Sequence, residues 1–266
     1  MQSLDLKAEP VRFSFLKWMA ESPAHYAYAV ANDNSRKLTA CMETGSAVDG
    51  LILGTKEVCA YPGPVRRGKA WEQFQVDNAS KLIVTKKELA LAEGMKASVL
   101  ANEHAARVLT GHRQKEIEWE FLGRKCVSHL DVLAFDNAFI TDLKSSQTSN
   151  PNKFRWKALK MAYHAQLAFY RLAVEYRTGT KPRTAYVVAV ESTAPYVTTV
   201  MRVTDKALDL GERMVRLWFE TLLTCEKSNA WPGYSQSIVE LDAPDDLDLE
   251  FDLDELVPAV GDSEAA

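Results

Sequence analysis

The stretch KCVSHLDVLAFDNAFITDLK, residues Lys125 to Lys144, decides how the rest of the chain is read. Two β-type runs, Lys125 to Phe135 and Ala138 to Lys144, flank the turn Asp136-Asn137 and so form a hairpin. Asp131 interrupts the apolar part of the first run, where an unpaired carboxylate is costly to bury. The triplet Asp142-Leu143-Lys144 closes the second run. Alternation with a period of two sets Asp142 and Lys144 on one face and turns Leu143 into the core. Two carboxylates and one lysine then converge at an edge of the hairpin. Such a set can hold a hard divalent cation and place a water against a phosphodiester. Taken singly, the same residues also fit a solvent-facing acid on an edge strand and a surface ion pair of little energy.

Outward from the hairpin, Glu116 to Phe121 alternates strictly and predicts a half-buried strand before it. A loop rich in Ser, Thr, Asn and Pro follows the hairpin and leads into one long helix from about Lys153 to Tyr176. Strands at Ala185 to Glu191 and Val197 to Val203 come next, then a helix from Asp205 to about Cys225. Upstream, Ser14 opens a short helix that stops before Pro23, a second helical run follows, and a third covers Cys41 to Leu53. AYPGPVRRGKAWEQF, residues 60–74, reads as a loop with a basic cluster at Arg66, Arg67 and Lys69. Thr85 to Glu88 resembles a capping box for a helix expected to reach Leu109. The order βββαβ within helical flanks predicts an α/β fold, a small mixed sheet packed by helices. We expect a helical elaboration over residues 1–110, a core over 111–241 and an acidic, disordered tail over 242–266, with 1–241 acting as one integrated domain.

At 266 residues and 47% hydrophobic, the chain can bury one substantial core. No apolar run approaches the roughly 20 residues that a membrane span needs. The start, MQSLDLKAEPVRF, lacks an apolar signal region, so a cytoplasmic protein is expected. The four cysteines (Cys41, Cys59, Cys126, Cys225) form no CxxC pair, which argues against structural zinc or an iron–sulfur cluster and for buried free thiols. The formal charge of −4 hides an asymmetry. From Glu240 onward lie 11 of the 36 acids and no Lys or Arg, so residues 1–239 hold 32 bases against 25 acids, a net of +7. A basic body is compatible with a nucleic-acid substrate. Gly-x-Ser-x-Gly, Walker-type and Rossmann fingerprints are absent, which leaves serine hydrolase, ATPase and dehydrogenase readings without support.

Asp131, then Asp142-Leu143-Lys144, then Gln166-Leu167-Ala168-Phe169-Tyr170 on the following helix together resemble the PD-(D/E)XK nuclease superfamily and its restriction-endonuclease-like core. The Gln-x-x-x-Tyr step resembles the RecB-type branch. The chain further resembles the exonuclease VIII (RecE-type) group of phage and prophage exonucleases. That likeness adds the early Ser-Phe-Leu-Lys and Ser-Pro-Ala-His segments, Gly45-Ser46-Ala47-Val48-Asp49, Tyr163-His164-Ala165-Gln166 and Val190-Glu191, over roughly residues 13 to 225. The resemblance implies a Mg²⁺-dependent exodeoxyribonuclease that degrades double-stranded DNA from 5′ ends in phage-type recombination, without ATP, in a bacterial cytoplasm. DNA, a homo-oligomeric ring and a single-strand annealing protein are the partners it implies. A structure-specific or single-strand endonuclease of the same fold, and a non-catalytic DNA-binding or assembly protein, stay open beside it.

The same resemblance implies roles for individual residues. Asp131 and Asp142 would ligate Mg²⁺ or Mn²⁺, as two ions, with the backbone carbonyl of Leu143 as a further ligand. Lys144 would orient or activate the attacking water and stabilise charge on the phosphate. Many RecE-type relatives carry a histidine where this chain has Asp49, a harder oxygen ligand. Leu130 stands where the superfamily's proline precedes the first acid. Glu116 could complete the metal site, and its alternation with Glu118 and Glu120 equally reads as a solvated strand face. Gln166 and Tyr170, four apart, share a helix face beside the site. Arg66, Arg67, Lys153, Arg155 and Trp156 are candidates for backbone contacts or base stacking.

Overall fold

A computed structural model of the chain describes residues 9–32, 40–235 and 237–241. The acidic segment over 242–266, expected to be a disordered tail, lies outside the described residues. The first half carries α1 (Phe13–Leu16), continued by a 3-10 turn, α2 (Pro23–Ala31), α3 (Ala40–Leu53), β1 (Val58–Ala60), α4 (Lys69–Asp77), β2 (Leu82–Val84), α5 (Lys86–Ala101) and α6 (Glu103–Val108). The second half carries β3 (His112–Phe121), β4 (Arg124–Leu133), β5 (Phe139–Ser146), α7 (Pro151–Lys160), α8 (Tyr163–Thr178), β6 (Thr184–Glu191), β7 (Thr198–Val203) and α9 (Asp205–Ser228). The described residues after Gly233 carry neither helix nor strand.

Strands β3 to β7 form one sheet in chain order, antiparallel throughout except for the parallel pair β5–β6. Strand β6, TAYVVAVE, is apolar almost throughout because both of its faces are covered. Val187 and Ala189 join a core with Phe169 of α8 and Phe219 of α9, whereas Val188 and Val190 join a second core with Val48 of α3 and Met95 of α5. The sheet is therefore the middle of three layers. Gly211 lets α9 cross close on α8, since a Cβ there would lie 2.4 Å from the carbonyl oxygen of His164. On β3, Ile117 and Trp119 are buried while Glu116, Glu118 and Glu120 are exposed, as strict alternation requires.

Three expected elements are divided or extended. The helix from Lys153 to Tyr176 is two helices, α7 and α8, because Ala162 takes a left-handed conformation (φ 55°) that an α-helix cannot contain. The helix expected to reach Leu109 breaks at Asn102, which ends α5 and whose side chain caps α6 by accepting from the N–H of Ala105. The loop over residues 60–74 ends early, at Gly68, where α4 begins. The parallel pair β1–β2 had no periodic signal, being only three residues on each side. Cys126 and Cys225 are buried free thiols and Cys59 is half-buried; the side chain of Cys41 lies outside the described residues.

Candidate active site

The site begins where β4 and β5 part. Their ladder pairs Leu133 with Ile140 and Val132 with Thr141, then stops. Continued, that register would send the N–H of Leu143 to the carbonyl of Leu130. Instead the N–H donates to Asp131 Oδ2 at 2.8 Å. The carboxylate thus replaces a ladder carbonyl and satisfies the strand while leaving the seam open. A strand residue projects its N–H and C=O to the same side, so the Leu143 carbonyl also faces this seam. Gln114, itself at φ 49°, donates to Asp131 Oδ1 at 3.2 Å and fixes the carboxylate from β3.

Asp142 is only 2% exposed and Lys144 is half-buried, both on the face opposite the Leu143 side chain. Lys144 Nζ stands 2.7 Å from Asp142 Oδ2, and no other described donor reaches that oxygen. Gln166 Nε2 donates to Asp142 Oδ1 at 3.4 Å and to the Tyr170 hydroxyl at 2.9 Å, so α8 meets the site through its first two turns. The left-handed Ala162 that divides α7 from α8 brings Tyr163 to the site, with Lys144 Nζ 5.1 Å from its ring centroid. A cleft of about 400 Å³ opens onto Lys144, Gln166 and Tyr170, and its other wall includes Arg12, Ser14, Lys17 and His129.

Negative charge outweighs positive here. Burial pushes Asp131 up to about 7; the Asp142 charge adds to that, and the Lys144 ammonium opposes it. Burial likewise pushes Asp49 up to about 6 against the pull of Lys144. Burial alone would lower Lys144, but the charges of Asp142 and Asp131 overcome it and hold the ammonium protonated well above its usual range. Tyr170 is raised by burial and by Asp142, so it stays a neutral phenol. Carboxylates left this short of positive charge, one with an oxygen met by a single cation, fit a divalent metal ion. Asp131, Asp142 and the Leu143 carbonyl are the groups that could hold it.

Of the remaining candidates, Asp49 acts on the site through its charge and the others lie apart from it. Asp49 feels the charges of Lys144 and Asp142, yet among the described residues no three His, Cys, Asp or Glu side chains close into a metal-ligand cluster. Glu116 is exposed, 3.4 Å from His129 Nδ1. Arg66 lies 5.5 Å from the Trp71 ring centroid, and Arg67 is exposed beside it. On α7, Lys153 is exposed and Arg155 stacks on Trp156, itself 65% exposed. Sequence reasoning passed over Gln114, Arg12 and Lys17. Gln114 had no signal; Arg12 lies just ahead of the helix opened by Ser14, and Lys17 entered only as the end of the Ser-Phe-Leu-Lys segment.

The profile of a PDDEXK-like domain of unknown function, DUF3799, matches residues 12–243. The chain belongs to that family. A provisionally named exonuclease from Eubacterium rectale has a similar crystal structure, with a TM-score of 0.62 and 18% identity over 97% of each chain, and that likeness establishes the fold alone. A phage-related exonuclease from Haemophilus somnus 129PT is more distant, at TM-score 0.39 and 12% identity over 84% of this chain and 97% of its own. No curated protein matches the sequence. The PDDEXK-like chain thus has the mixed α/β fold expected from the order of its elements and from the resemblance, and its described residues include no helix long and apolar enough to cross a membrane.

Proposed function

We propose that the protein is a Mg²⁺-dependent exodeoxyribonuclease that hydrolyses double-stranded DNA, 5′ to 3′, in phage- or prophage-type recombination. One observation carries this reading: Asp131, Asp142 and Lys144 meet at the open seam of β4 and β5, on a PDDEXK-like fold. The Leu143 carbonyl and Asp49 would complete the ligands for Mg²⁺ or Mn²⁺, as two ions. When bound, the metal supplies Lewis acidity toward a phosphate oxygen and a more acidic water. Lys144 would orient or activate that water and donate to charge developing on the phosphate. Gln166 fixes Asp142 and the Tyr170 hydroxyl together, so both keep their places as the charge changes. Arg12 and Lys17 in the cleft wall, with the cations of α7, are suited to the DNA backbone. A homo-oligomeric ring around DNA and a single-strand annealing partner belong to the same reading.

Digestion of linear and covalently closed duplexes, labelled separately at 5′ and 3′ ends, tests it. Linear DNA should be degraded with Mg²⁺, the 5′ label released first, circles left intact, and EDTA should stop the reaction. Cutting of closed circles would favour the endonuclease. Binding without hydrolysis in either metal would leave a DNA-binding protein on a nuclease fold. A monomeric mass in solution would remove the ring.

A further inference from the structure

Helix α4 is an anomaly: none of its residues is buried, although it carries Trp71, Phe74 and Val76. It is held by aromatic contacts, with the Tyr61 ring 5.1 Å from both Trp71 and Phe74, edge-on to each. All three rings keep part of their surface open to solvent. Gly63 fixes the turn Pro62-Gly63-Pro64 against Tyr61, since a Cβ there would lie 2.5 Å from the ring. Beside the rings stand cations. Arg66 reaches over Trp71 and lies 3.9 Å from Glu88, while the exposed Lys86 and Lys87 form no ion pair with a described residue. Tyr61, the Pro62–Pro64 turn, Arg66, Lys86 and Lys87 line one cleft of about 470 Å³. Residues 56–87 hold seven Lys or Arg and three acids, a net of +4 in a chain of net −4.

We propose that this module, which follows directly on the helix carrying Asp49, is a binding site for single-stranded DNA. Half-open aromatic rings beside Arg66 and the exposed cations Lys86 and Lys87 match the alternation of base and phosphate along a single strand. A duplex keeps its base faces stacked on one another and cannot offer them to the rings. The choice of DNA rests on the nuclease reading above, while the recognition chemistry, stacking plus phosphate, rests on the module alone.

Fluorescence anisotropy in EDTA tests the site without hydrolysis, using a labelled oligo-dT and an abasic strand with the same number of phosphates. The protein should prefer oligo-dT, and Trp71→Ala should weaken that binding about tenfold while leaving the abasic strand unaffected. Lys86→Gln with Lys87→Gln, on the exposed surface, should weaken both strands and flatten the salt dependence. Lys86→Gln with Lys87→Gln touches none of the ring contacts and should keep the circular dichroism spectrum of the parent; the same spectrum checks that Trp71→Ala keeps α4. Equal binding of the two strands, or an unchanged affinity in Trp71→Ala, would overturn the site, as would equal binding of polyglutamate. The two readings fail separately. A protein inert toward every DNA in Mg²⁺ sinks the nuclease but not the oligo-dT preference, and normal digestion without that preference sinks only this site.

Discussion

Strand β5 has two different sides. Toward β6 it pairs along its whole length, from Phe139–Thr184 to Ser146–Glu191. Toward β4 it pairs at Ile140 and Thr141 and then lets go. The paired side is a closed seam between two apolar layers. On the open side the Asp131 carboxylate stands where a backbone bond would otherwise run, and Asp142 and Lys144 project beside it from the sheet face. One side stabilises the sheet and the other makes room for a ligand, and the stable side lets the strained side persist.

Removing the positive charge from the open side should have the largest effect. Lys144→Met keeps a stem to lie against Tyr163 but leaves Asp142 Oδ2 without its cation. Hydrolysis of linear duplex should fall by about a thousandfold, the loss typical of removing one transition-state donor. Single-turnover rates at saturating Mg²⁺ measure this directly. A loss under tenfold would mean that Lys144 serves the fold and not the chemistry.

The next effect is on stability and runs against function. Asp131 is pushed up to about 7 and Asp49 to about 6. Both folded values lie above the roughly 3.9 of an unfolded aspartate. Below that pH both states are protonated and nothing is lost; as pH rises toward 7 the folded protein must carry charges it disfavours. Metal-free stability should therefore fall between about pH 4 and pH 8, by at most about 4 kcal/mol from Asp131. Asp131→Asn can still accept from the Leu143 N–H, so it should flatten most of this slope and raise the metal-free Tm at pH 8 by several degrees. Mg²⁺ should raise the Tm of the parent at pH 8 and not that of the variant. Thermal unfolding across pH, in EDTA and in Mg²⁺, checks both. Equal slopes in parent and variant would show that Asp131 is not the strained group.

The sequence displayed the closed side better than the open one. Alternation over Glu116 to Phe121 and the apolar run of β6 are local signals, and they located the strands to within a few residues. The same-face placement of Asp142 and Lys144 followed from parity alone. The site's detail depended on what has no period. Gln114 reaches Asp131 from a residue with positive φ, and Tyr163 reaches Lys144 because Ala162 is left-handed. Neither conformation is announced by a glycine, so nothing in the composition marked the break. Asp49 was singled out by resemblance; its helix places it within the field of Lys144, and its part in binding metal is tested only by removing it.

Glu116 offers the smallest effect and the sharpest test of where the site ends. Its carboxylate lies 3.4 Å from His129 and is exposed, across β4 from the open seam. Asp131 is shifted chiefly by burial, with Asp142, Lys144 and Asp49 the nearest charges acting on it. Glu116→Gln should alter only an exposed contact with His129, worth about 0–1 kcal/mol. Hydrolysis should change less than about threefold by the same reckoning, with the Mg²⁺ concentration for half-maximal rate unmoved. A Mg²⁺ titration on linear duplex reads this out. A tenfold higher Mg²⁺ requirement would make Glu116 a ligand, carry the metal site across β4, and end the contrast between the two sides of β5.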